Sequence, residues 1–206
     1  MAALNSRLRY GTVAMILHWL IAVFVLANIG LGLYFAWLPD NVPGQPPAYD
    51  MQTFFALVQL HKSIGLTVLM LSILRLAWRL VNPVPALPLG MSPALRVAAR
   101  ISHVLLYVFI IAVPLSGWLW ASASPKGLPT VYFGLFQWPH FSFLADLTRA
   151  EKRPYSHLFG TIHAYMAFAL IALVPIHICA ALYHQFIRRD DVLRRMLPGT
   201  DVSEIA

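Results

Sequence analysis

The chain is 206 residues long, 59% hydrophobic and only 11% charged, with a mean hydropathy of +0.69. Soluble domains carry about a quarter charged residues, so this composition excludes a water-soluble enzyme and defines an all-α integral membrane protein, a single membrane domain over 1–206. The net charge of +7 sits mostly on arginines beside apolar segments, which points to membrane topology and not to nucleic acid.

Four segments are apolar enough over the ~20 residues that cross a hydrocarbon layer. The first is 12–38. Arg7 and Arg9 precede it, and no Asp, Glu, Lys or Arg occurs from Gly11 to Pro39. That run exceeds the apolar region of a cleaved signal and carries His18 and Asn28, so it reads as a retained helix. The second span, 52–80, contains Lys62, Arg75 and Arg79 near its ends, where long side chains reach the headgroups. Prolines 83, 85, 88 and 93 make the next stretch an extended connector. The third span is 101–124 and the fourth 156–187, which leaves outer loops at 39–51 and 125–155. The second loop holds Tyr132, Phe133, Phe136, Trp138, Phe141 and Phe143, a density that suggests a segment lying in the membrane interface.

Ten basic residues fall on the side of the termini and the proline connector, against five on the other side. The positive-inside rule then puts both termini of this multi-pass chain in the cytoplasm. Cys179 is the lone cysteine, so no internal disulfide forms. No GxGxxG, Walker-type loop, CxxC or HExxH occurs, so nucleotide and soluble hydrolytic chemistry have no sequence support.

The chemistry-bearing residues are histidines. His163 and His177 lie fourteen residues apart on one apolar run. At ~100° and ~1.5 Å per residue, they share nearly one helix face and stand about 21 Å apart. His61 and His163 define an outer level. His18, His177 and His103 define an inner one. Ionisable groups in spans are costly and mark function. Two imidazoles from facing helices ligate haem b, and bundle cores supply such sites. A zinc or copper path would use carboxylates or thiols, and the spans offer only Cys179. Gly65, Gly160 and Ala14, each about one turn from a histidine, either clear space for a macrocycle or pack helices together. His103 is surplus: an alternative inner ligand, or a contact for a quinone head group. His184, seven residues after His177, is a candidate for the same contacts or for a haem propionate. Arg75, Arg79 and Arg100 are candidate propionate partners, or serve topology and phosphate contact. His140 and His157 fall in the interface, outside any ligand set.

These residues resemble the bacterial cytochrome b561 family. The resemblance rests on Ile16-Leu17-His18-Trp19-Leu20, Leu60-His61-Lys62-Ser63-Ile64-Gly65, Ser102-His103-Val104-Leu105-Leu106-Tyr107 and Pro114-Leu115-Ser116-Gly117-Trp118. It continues through His163, His177 and Leu182-Tyr183-His184. It implies a four-helix transmembrane bundle with two haem b groups in its core, ligated by the pairs His61–His163 and His18–His177, and electron exchange with a quinone such as ubiquinone. The resemblance also implies a bacterial inner membrane. Some members resemble superoxide oxidases, in which case Lys62, Lys126, Lys152 and Arg153 would draw the anion inward; the alternative for these residues is contact with lipid headgroups. The alternative reading is a haem-bearing anchor and electron conduit of a larger dehydrogenase or hydrogenase complex. Expected partners are membrane lipid, quinone, superoxide, and a second copy of the chain or a redox subunit.

Overall fold

A computed structural model describes residues 2–39, 49–87 and 90–199. Most of the expected first outer loop, and Pro88 of the connector, lie outside the described residues. Four long helices form: α1 (Thr12–Trp37), α2 (Met51–Val81), α3 (Pro93–Ser122) and α5 (Arg149–Tyr183). Each is long and apolar enough to cross a membrane. A two-stranded antiparallel sheet, β1 (Thr130–Tyr132) and β2 (Phe136–Trp138), and a short α4 (Ser142–Ala145) lie between α3 and α5. A π-helical turn at His184–Arg188 follows α5.

Two helices begin earlier than their apolar runs suggest. Helix α3 starts at Pro93 rather than 101. Ser92 caps it, with its carbonyl accepting from Arg96 N–H at 3.0 Å, and proline suits the first helical position. Helix α5 starts at Arg149 rather than 156, because Thr148 and Glu151 form a capping box. The Thr148 N–H donates to Glu151 Oε2 at 2.9 Å, and the Glu151 N–H to Thr148 Oγ1 at 3.4 Å. Asp50 caps α2 through Thr53 N–H at 2.7 Å, and the Thr53 hydroxyl, followed by this backbone bond, holds the Asp50 carboxyl below its ordinary range.

The chain divides into two compact units, and every long helix contributes a segment to each. The first comprises 1–22, 70–111 and 168–206. In it the N-terminal segment, the connector and the C-terminal segment are knitted together by polar side chains. Asn5 Nδ2 donates to the Pro83 carbonyl at 2.9 Å, Arg9 Nη2 to Leu197 at 2.6 Å and Trp19 Nε1 to Met196 at 2.8 Å. Buried Arg195 donates to the Ala86 carbonyl. A Cβ on Gly11 would run into the backbone of Ala3 and Leu4, so only glycine lets the chain fold back there.

The second unit comprises 23–69 and 112–167. Its core includes Ser63, Ala123 and Leu144, all nearly inaccessible. Large apolar side chains face outward instead, among them Tyr165 on α5 and Leu26 on α1. In water such faces would aggregate; in a bilayer they are the lipid-contacting surface.

Candidate functional site

In the second unit, His61 on α2 faces His163 on α5. Their ring centroids are 6.2 Å apart and the planes meet at 83°. In the first unit, His18 on α1 faces His177 on α5 at 6.3 Å and 75°. Two imidazoles on opposite sides of one iron, each nitrogen ~2 Å from the metal and each ring centre ~1.1 Å beyond, would place their centroids roughly 6.3 Å apart. Both pairs therefore fit a six-coordinate haem. His103 on α3 is nearer to His177, at 5.7 Å, short of that linear span.

The His163 ring is held from α3. Its Nδ1 lies 3.0 Å from the Val113 carbonyl and 3.2 Å from Ser116 Oγ. The carbonyl can only accept, so Nδ1 carries the proton and Nε2 is free to ligate, as in metal-bound histidines whose second nitrogen is tied to the protein. A Cβ on Gly117 would stand 3.0 Å from His163 Cε1, so glycine is needed for the ring to lie there. Trp120 flanks the same ring at 5.9 Å. His61 packs edge-on to Phe35 at 5.7 Å. Its Nδ1 is buried and makes no well-formed hydrogen bond among the described residues, although the Asn28 backbone lies within loose reach.

Around the first unit's trio, Arg75 Nη1 donates to the Ala14 carbonyl at 3.0 Å, one turn before His18. Its Nε donates to Tyr107 OH at 3.2 Å. Arg79 lies over the Tyr107 ring at 5.5 Å, and Arg75 is close enough to act electrostatically on all three histidines. Arg100 is exposed. His184 pairs with Asp190, Nδ1 to Oδ2 at 2.6 Å. His140 touches Thr130 Oγ1 at 3.1 Å. Burial, with the charges of Lys62 and Lys152, holds its imidazole below the ordinary value. His157 lines a surface cleft of about 430 Å³ with Trp120, Arg153 and Thr161.

The two glycines weighed for macrocycle clearance or helix packing both lie against side chains of neighbouring helices. A Cβ on Gly160 would stand 3.0 Å from the Trp120 indole, and one on Gly65 3.5 Å from Asn28 Nδ2. Spacing alone did not reveal Ser116, Gly117 or the Val113 carbonyl. Their signal is the Pro114-Leu115-Ser116-Gly117-Trp118 segment, whose roles become visible only against α5.

Four membrane-length helices with paired imidazoles inside them define a membrane electron-transfer protein of the b-cytochrome class. Residues 9–199 match the family described as prokaryotic cytochrome b561. The chain is 33% identical over 197 residues to cytochrome b561 homolog 2 of Escherichia coli (strain K12), covering 96% of this chain and 95% of that protein. It is 28% identical to the probable superoxide oxidase CybB of Yersinia pestis, covering 92% and 96%. It is 27% identical to cytochrome b562 of Cereibacter sphaeroides, covering 91% and 94%. The chain belongs to the prokaryotic cytochrome b561 family: a bacterial multi-pass membrane protein that binds b-type haem and transfers electrons.

Proposed function

We propose that this cytochrome holds two haem b groups, one between His61 and His163 and one between His18 and His177, and passes single electrons from a donor outside the cell membrane to the quinone pool. The observation that carries the reading is the pair of matched imidazole spacings, 6.2 and 6.3 Å, on helices that share α5. Each haem iron supplies a one-electron couple, with its potential set by axial ligands, burial and outer hydrogen bonds. Val113 and Ser116 fix the His163 tautomer and ring direction. Arg75 and Arg79, converging on Tyr107, are the partners for the propionates of the inner group, with Arg100 beyond them. His103, exposed on α3 beside His177, is the contact for a quinone carbonyl. The His184–Asp190 pairing favours a structural role for His184.

The donor in this reading is superoxide. Lys62, Lys126, Lys152 and Arg153 supply positive charge near the level of His61 and His163, and the Yersinia relative carries the superoxide oxidase name. Two superoxide anions lose one electron each and leave as O₂. The two electrons, with two protons from water on the acceptor side, convert one quinone to quinol. Positive charge around the entry point speeds encounter with an anion, and salt screens it. Stopped-flow mixing of the oxidised holoprotein with superoxide tests this. Reduction should be fast and should slow with ionic strength. It should also slow in a Lys62→Gln, Lys152→Gln, Arg153→Gln variant. Slow reduction indifferent to salt and to these substitutions would rule out superoxide and favour a conduit fed by a partner subunit, which stoichiometric co-purification of a dehydrogenase would identify.

A further inference from the structure

The segment between α3 and α5 is more than a surface loop. Gln59, Ser63 and Thr67 form one stripe on α2, spaced four residues apart, and the β1 strand lies along it. Gln59 Nε2 donates to the Pro129 carbonyl at 2.9 Å, and Gln59 Oε1 accepts from Val131 N–H at 2.9 Å. Ser63 Oγ accepts from Phe133 N–H at 2.9 Å and lies 3.3 Å from the Val131 carbonyl. Tyr132 OH meets Thr67 Oγ1 at 2.9 Å. The other edge of β1 pairs with β2. As the chain runs from Pro129 to Phe133, its partners move from Gln59 to Ser63 and Thr67, deeper along α2.

That direction fixes a depth. Helix α2 is 31 residues long. At ~1.5 Å per residue it measures about 46 Å, against a hydrocarbon thickness of about 30 Å. With the helix centred, Ser63, twelve residues from its start at Met51, lies roughly 10 Å inside the hydrocarbon boundary. Non-helical backbone survives at such depth only where its polar groups are satisfied, because no water replaces a missing partner. The polar stripe on α2 satisfies the free edge of β1.

The turn supports the same conclusion. Phe133 and Gly134 both have positive φ, 46° and 76°, and Leu135 N–H closes the turn on the Tyr132 carbonyl at 2.9 Å. Left-handed turn positions in water favour Asn, Asp or Gly, and a bulky residue there is strained. Here the strained position carries a phenyl ring, and Phe133, Leu135 and Phe136 are 43%, 77% and 50% exposed. An apolar tip at apolar depth has lipid chains as its natural neighbour.

We propose that residues 128–141 form a re-entrant hairpin whose turn, Phe133–Phe136, is inserted among the acyl chains of one leaflet. Two measurements on the holoprotein in phosphatidylcholine/phosphatidylglycerol proteoliposomes test it. Photolysis of a lipid-partitioned diazirine in the unmodified protein should label 133–136 as strongly as the outward-facing Tyr165 region of α5. In a Cys179→Ser background, Leu135→Cys should react with an impermeant maleimide about tenfold more slowly than Lys126→Cys, because the reagent does not enter the hydrocarbon. Equal maleimide rates would place the turn in water and overturn the proposal. Diazirine labelling of α5 but not of 133–136 would mean that another protein chain, such as a second copy, covers the turn, and would also overturn it.

Discussion

If His163 ligates a haem as proposed, a single methyl group at Gly117 should dislodge that haem. The Cβ of alanine would stand 3.0 Å from His163 Cε1 and 3.2 Å from Nδ1. Comfortable carbon contacts lie at about 3.5–4.0 Å, so the ring must retreat by roughly half an ångström or more. It is not free to do so, because Nδ1 is tied to Val113 and Ser116. Overpacking of this kind costs about 1–3 kcal/mol. If the strain is relieved by releasing the ligand bond, haem affinity falls about fivefold to over a hundredfold. The control is Gly32→Ala, whose Cβ would meet His61 Cε1 at 3.6 Å, an ordinary contact. Haem transfer to excess apomyoglobin, followed by absorbance, reads the loss. Gly117→Ala should release one of two haems much faster than the parent protein, and Gly32→Ala should match the parent. Parent-like retention in Gly117→Ala would refute the argument that this glycine sets the ligand's position.

Ser116→Ala weakens the polar hold on His163 Nδ1 and makes the imidazole a poorer donor to ferric iron. A hydrogen bond worth about 0.5–1.5 kcal/mol corresponds to a rise of roughly 20–60 mV in one haem potential, read by redox titration. His140 is held below its ordinary pKa by burial and then by Lys62 and Lys152. Its neutral form is therefore favoured in the folded state. Stability is full above the ordinary histidine value and declines as pH falls through it and on toward the folded value. Thermal unfolding of the holoprotein should show that acid loss reduced in His140→Gln, and an unchanged pH profile would contradict the assignment.

The four spans were legible because an apolar run of membrane length, with its charges confined to the ends, is rare in a water-soluble fold. Their ends were not. The Thr148–Glu151 box and the Ser92-Pro93 start lie in polar sequence outside the hydrophobic run, so helices that project beyond the bilayer read as loops. The β1–β2 hairpin was invisible because its strands are three residues long and its turn is Phe-Gly, without the usual Asn-Gly signal. The separation of His163 from His177 along α5 was readable from spacing, and the structure brings His61 beside the first and His18 and His103 beside the second. What holds them was not, since Gly117, Ser116 and Val113 act across to another helix, and one-dimensional periodicity carries no record of that neighbour. Gly160 shows the converse: a small residue one turn from His163 was open to two readings, and in the structure it lies against Trp120.

The central claim is two haem b groups on two specific imidazole pairs. Pyridine haemochrome analysis with protein quantitation, on the parent and on single alanine variants, tests it most directly. The parent should contain two b-type haems per chain. His61→Ala and His163→Ala should each keep only the haem of the His18–His177 pair, His18→Ala and His177→Ala only the other, and His103→Ala should keep both. A parent value near one, or loss of a haem in His103→Ala with both retained in His177→Ala, would contradict the account.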